Sequence, residues 1–76
     1  MSDFDYMASA ELFAAHGPSG LRYRRFPHAA EAIRYAIEKL PATVLSATSI
    51  EVREKRYGAI QIRALYESDG YPLARR

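Results

Sequence analysis

Apolar and polar positions along the chain change period several times, and each change marks a candidate element. The clearest run is HAAEAIRYAIEKLP. Ala29, Ile33, Ala36, Ile37 and Leu40 recur at helical spacing and form one apolar stripe. The spacing predicts a helix over 28–40, with Arg34 and Glu38 one turn apart on its outer face and Pro41 as its stop. His28 stands at the N-cap with Glu31 three residues on, a capping box whose first member is a weak substitute for Ser or Thr. Residues 21–26, LRYRRF, alternate over a short span rich in aromatics and predict a strand ending at Pro27. Residues 49–54 alternate again: Ile50 and Val52 point one way, Glu51 and Arg53 the other, predicting a second strand. Between the helix and this strand, 42–48 reads as a connection that plugs Val44 and Leu45 into the core.

The period over 57–67 is compatible with either state. As a strand, Ile60, Ile62, Ala64 and Tyr66 share a face after a hairpin through 55–58. As a helix, Ala59, Ile62, Leu65 and Tyr66 share one. End chemistry favours the helix. Gly58 is an acceptable N-cap, Gln61 falls at N3, Gly70 suits the position after the helix, Tyr71 can pack back, and Pro72 bars continuation. A helix over 59–69 follows. Near the N-terminus, Ser9 can cap a short helix over 10–15 with Leu12 and Phe13 inward. HGPSG at 16–20 is a breaker cluster and predicts a loop.

These elements define a small α/β (α+β-like) domain with a strand–helix–strand core. A crossover helix of this length makes 21–26 and 49–54 neighbouring parallel strands, joined in the right-handed sense. A short N-terminal helix and a C-terminal helix flank them. Ile33, Ile37, Leu40, Ile50, Val52, Ile62 and Leu65 are the expected core. Two parallel strands expose edges and faces, which the last helix or a second copy of the chain has to cover.

At 76 residues there is room for one small core. Such a core holds roughly 3–5 kcal/mol without staples. Residues 9–76 are read as the single domain and 1–8 as an acidic, flexible arm. There is no cysteine, which excludes disulfides, thiolate metal sites and a cysteine nucleophile. MSDFDYM is acidic and no apolar run follows it, so a secretory signal is not expected. No segment approaches the roughly 20 apolar residues of a membrane span. A cytoplasmic protein without a membrane partner is the expectation. Charge is uneven: residues 1–20 balance at −3, residues 21–76 at +5.

Taken together, Tyr23-Arg24-Arg25-Phe26, Ala29-Ala30-Glu31-Ala32-Ile33-Arg34, Ile62-Arg63-Ala64-Leu65-Tyr66 and Tyr71-Pro72-Leu73-Ala74-Arg75 resemble a family of short uncharacterised bacterial proteins. The likeness covers most of 10–75. It implies helix starts at positions 28 and 58, where that family often carries Thr and Asp. His28 and Gly58 depart from this and predict weaker caps. No function or catalytic residue comes with the resemblance.

The chemistry-bearing residues point away from catalysis. His16 and His28 are the two histidines, and none of Ser9, Ser19, Ser46, Ser49 and Ser68 lies in a nucleophile elbow. His28 and Glu31 make two ligands at most, short of the three or four a zinc site needs. GPSG at 17–20 lacks the Lys-Ser/Thr ending of a phosphate loop. No cofactor motif is present. Arg22, Arg24, Arg53, Lys55 and Arg56 are the candidate nucleic-acid contacts, beside aromatics. Arg22 and Arg24 share one strand face while Arg25 takes the other, and Glu51 and Glu54 interrupt the second cluster, where a phosphate-binding surface favours a concentrated basic stripe. Tyr35 and Ile60 lie off their helices' apolar stripes and form the candidate interaction surface. The sequence therefore reads as a non-enzymatic protein-interaction or regulatory module, whose expected partner is itself, as a homodimer, or another protein. Nucleic-acid binding through the Arg/aromatic strand faces is the alternative.

Overall fold

A computed structural model describes residues 4–15 and 21–74. The loop predicted over 16–20, with His16 and Ser19, lies outside the described residues, as does Asp3. The elements run β1 (Ala10–Ala15), β2 (Leu21–Phe26), α1 (Ala29–Lys39), α2 (Ala42–Leu45), β3 (Thr48–Val52), β4 (Lys55–Tyr57) and α3 (Ala59–Glu67). The strands form one antiparallel four-stranded sheet in the order β2-β1-β3-β4. This is a small α+β arrangement with the helices on one face.

Two expectations are corrected. Residues 10–15 are not a short helix but a strand, with Ala10, Leu12 and Ala14 buried toward the helices and Glu11 and Phe13 facing away. The two-stranded parallel sheet is replaced with it. β2 and β3 do run in the same direction, but β1 lies between them and pairs antiparallel with both. The physical reason is backbone satisfaction. A strand inserted between β2 and β3 gives each a ladder partner, β2 through the local β1–β2 pairing and β3 through a sequence-distant antiparallel one, so backbone groups are satisfied that a lone parallel pair would leave open.

A second hairpin extends the sheet. β3 turns into the three-residue β4 through Arg53 and Glu54, both at positive φ (52° and 68°), with Val52 and Lys55 closing the turn. Positive φ at both central residues gives a turn twist that matches paired strands. It is costly for residues with a Cβ.

Helix α1 lies on β1, β2 and β3 and against α3. Its buried face is nearly all alanine: Ala29, Ala30, Ala32 and Ala36, with Ile33 the one large side chain. These small residues meet Ala10 and Ala14 of β1, and the larger volume comes from Leu12, Ile33, Ile50 and Ile62. Of the predicted core, Ile33, Ile50, Val52 and Ile62 are buried, while Ile37, Leu40 and Leu65 pack at its margin half-buried. Leu45 of α2 is buried as expected, and Thr48 hands its hydroxyl to the Val44 carbonyl (2.7 Å).

The helix ends are closed unevenly. His28 makes no side-chain cap. Instead the chain before β1 supplies carbonyls: Ala29 N–H donates to Ala8 O (2.6 Å) and Ala30 N–H to Tyr6 O (2.9 Å). Two of the donors left over at a helix start are thereby satisfied from the N-terminal segment. At α3, Gly58 N–H donates to Gln61 Oε1 (2.9 Å), the half of a capping box that needs no cap side chain. The helix stops at Glu67, and Gly70 does not take the expected left-handed cap conformation. A turn at Ser68 does the work, its hydroxyl oxygen accepting from Gly70 N–H and its carbonyl from Tyr71 N–H.

Burial ranks the core substitutions. Ile33→Ala should lose about 2–5 kcal/mol, comparable with the whole stability of so small a domain, whereas half-buried Ile37→Ala should lose about 1–2 kcal/mol and stay folded. Urea denaturation followed by circular dichroism decides this, and equal losses at the two sites would contradict the packing.

Candidate functional site

Two surfaces carry most of the residues of interest. On the helix side, Ile60 is 87% exposed at the start of α3. It borders a hollow of about 250 Å³ lined by Ala42 and Leu45 of α2 and by Ala59 and Arg63 of α3. Arg63 reaches Glu67 one turn on (4.0 Å), a charged pair at the margin of the apolar patch. Tyr35, its companion in the predicted surface, is placed elsewhere. Its ring lies 5.5 Å from that of Phe26, and the Arg24 guanidinium sits 4.8 Å above it. Tyr35 is half-buried between β2 and α1.

The second surface is the uncovered face of the sheet. Strand register sets four side chains in a row across it: Arg25, Glu11, Glu51 and Arg56. Two carboxylates stand directly opposite each other on the central strands, an unfavourable pairing, and an arginine flanks each. Arg56 bonds Glu51 (3.4 Å), and Glu11 accepts from the Tyr23 hydroxyl (3.0 Å). That bond to the carboxylate raises the Tyr23 pKa, since ionising the phenol would break it. Tyr23 is 54% exposed, its ring is 5.4 Å from Phe13, and Arg56 lies 4.9 Å over the Phe13 ring.

The candidate phosphate contacts do not converge. Arg22 and Arg24 fall on the helix side of β2, Arg56 on the uncovered face, and Lys55 pairs with Val52 at the hairpin end. Arg53 sits in the β3–β4 turn and bonds Asp5 at 2.7 Å. That hydrogen bond, with a second from Met7 N–H, holds the Asp5 carboxyl below the ordinary carboxylate range. His28 lies 3.7 Å from Glu31. Among the described residues no three His, Cys, Asp or Glu side chains gather as a metal would require. No helix there is long and apolar enough to cross a membrane.

The sequence reading missed both the Phe13–Tyr23 pair and the row of Arg25, Glu11, Glu51 and Arg56, because both depend on 10–15 being a strand. The available signal was the alternation of Ala10, Leu12 and Ala14 against Glu11 and Phe13. It also missed a string of five rings behind the helices. Tyr57, Phe4, Tyr6, Tyr71 and Tyr66 follow one another at centroid distances of 5.1, 4.8, 5.7 and 5.2 Å. Three hydroxyls then anchor the string: Tyr6 donates to Leu65 O (3.0 Å), Tyr71 to Ala30 O (2.8 Å) and Tyr66 to Glu38 Oε2 (2.6 Å). It ties both ends of the described chain to α1 and α3, so it is architecture rather than a binding site. No protein-family model, curated protein or solved structure matches the chain.

Burial raises the Tyr71 pKa from 10.0 to about 12. The folded state therefore favours the neutral phenol. Its contribution to stability is whole below pH 10 and declines as pH rises toward 12, because the unfolded chain ionises first. Tyr71→Phe should flatten the alkaline fall in stability, measured as urea midpoints between pH 8 and 11.5. An unchanged slope would show that Tyr71 is not the group responsible.

Proposed function

We propose that this chain is a non-catalytic interaction module that self-associates as a two-fold homodimer through the α2–α3 surface. The observation that carries this is Ile60, 87% exposed beside an apolar hollow of about 250 Å³. A knob next to a hole is self-complementary under a two-fold axis, since each copy can seat its Ile60 in the hollow of the other. An apolar centre with the Arg63–Glu67 pair at its margin also has the layout of an interface core and rim. A non-catalytic role is supported by the engagement of carboxylates that acid–base chemistry would need free: Asp5 by Arg53, Glu38 by Tyr66, Glu51 by Arg56.

Nucleic-acid binding is the second reading, favoured by one observation. Exposed Tyr23 and half-buried Phe13 set neighbouring rings on a four-stranded sheet, with Arg25 and Arg56 beside them. Aromatics on such a face stack unpaired bases. Glu11 and Glu51 at the centre of the same face weigh against it, because they repel phosphate and leave the row neutral.

Sedimentation equilibrium tests the first reading. The parent should show a mass that rises from monomer to dimer with concentration, and Ile60→Asp should be monomeric throughout, with a denaturation midpoint equal to that of the parent at concentrations where the parent is monomeric. A parent that stays monomeric at millimolar concentration overturns it. Micromolar binding to single strands would promote the second reading, if its logarithm falls with log salt by about 0.7 per contact and Arg56→Glu abolishes it.

A further inference from the structure

The sheet has a feature on its helix side that self-association through Ile60 does not use. Between β2 and α1 lies a cleft of about 290 Å³. Leu12 and Ala14, both buried, form its floor, Leu40 and Tyr35 its walls, Tyr23 completes the lining, and Arg22 and Arg24 stand at its border. Among the described residues its lining includes no acidic side chain. Its size falls near the lower limit of small-molecule sites, about 300–1,000 Å³, and such sites combine an apolar body with a few placed polar groups.

The two arginines are neighbours on one strand face, two residues apart. They differ in how they are held. Arg24 is fixed by aromatic contacts, its guanidinium 4.8 Å over Tyr35 and 5.2 Å over Phe26. Stacking of this kind occupies the face of the guanidinium and leaves its in-plane N–H groups to bond an anion. A guanidinium pre-set in this way loses less freedom on binding a carboxylate than a solvated one. Both arginines are exposed, and Arg22 has no comparable ring contact among the described residues.

We infer that this cleft is a binding site for a small carboxylate with a flat apolar body. The body enters beside Leu12, Ala14, Leu40 and the Tyr35 ring, and the carboxylate meets Arg24 and Arg22. A purely apolar ligand leaves the arginines solvated and gains nothing from them. Inorganic phosphate matches the arginines and leaves the apolar wall empty. Both halves of the site are needed, which predicts an amphipathic ligand rather than either part alone.

Amide shifts of the ¹⁵N-labelled full chain, titrated with 2-naphthoate, test the site. The expected result is saturable shifts at Leu12, Ala14, Arg22, Arg24, Tyr35 and Leu40. The uncharged 2-naphthamide and inorganic phosphate should each bind at least tenfold more weakly. Arg22→Gln, at a position exposed to solvent, should weaken 2-naphthoate several-fold while leaving the spectrum otherwise native. Arg24→Gln should weaken it more. Equal affinity for naphthoate and naphthamide would overturn the inference, as would shifts centred on the Ile60 hollow or no saturable binding by 10-millimolar ligand. Because Ile60→Asp leaves this cleft untouched, naphthoate binding by that monomeric variant separates the fate of the site from the fate of the dimer.

Discussion

Every layer of this domain depends on β1 being paired on both of its edges. Its ladder with β2 and its ladder with β3 are what make a sheet at all, since those two strands never meet. Because side chains alternate along a strand, the same six residues also divide the molecule. Ala10, Leu12 and Ala14 go under the helices, and Glu11 and Phe13 go to the uncovered face. The small size of two of those inward residues matters as much as their direction. An alanine-lined strand beneath an alanine-lined helix brings backbones close, so a few large residues (Leu12, Ile33, Ile50, Ile62) suffice to fill the remaining core.

Close packing at the centre leaves the periphery to be secured by other means. The helix α1 begins at His28, which caps nothing. Its orphaned N–H groups are met by carbonyls of Tyr6 and Ala8, which are themselves held in place by the ring string and by the Asp5–Arg53 bond. A weak local signal is thus repaired by a tertiary one. The Asp5–Arg53 bond also reaches the β3–β4 turn, where Arg53 and Glu54 hold positive φ without the glycine or asparagine that makes such turns easy. Edges, caps and chain ends are coupled, so a perturbation at the string reaches the start of α1 directly.

Helices α1 and α3 and strands β2 and β3 were legible because each has a clear period and identifiable ends. Strand β1 was not. AELFAA consists mostly of good helix formers, and the adjacent pair Leu12-Phe13 fits a helix face as readily as two strand faces. Alanine carries too little hydrophobic contrast for its period of two to stand out. β4 was hidden for a different reason. It has three residues, and its turn carries none of the residue types that announce a hairpin. Once β1 was misread, the row Arg25–Glu11–Glu51–Arg56 could not be foreseen, since it exists through register alone. The exposure of Ile60 needed no register, only its position opposite Ile62 and Leu65 on α3, and it was visible from spacing. The cover over Tyr35 was not, because Phe26 and Arg24 reach it from another element.

The placement of β1 is therefore the claim on which the fold, the divided arginines and both candidate surfaces rest. It is tested most directly by cross-strand proton contacts in the NMR spectrum of the full chain. A central β1 gives contacts from 10–15 to 21–26 on one side and to 48–51 on the other, with slow amide exchange along 11–14. Sequential helical contacts across 10–15, or direct contacts between 21–26 and 48–52, would contradict it.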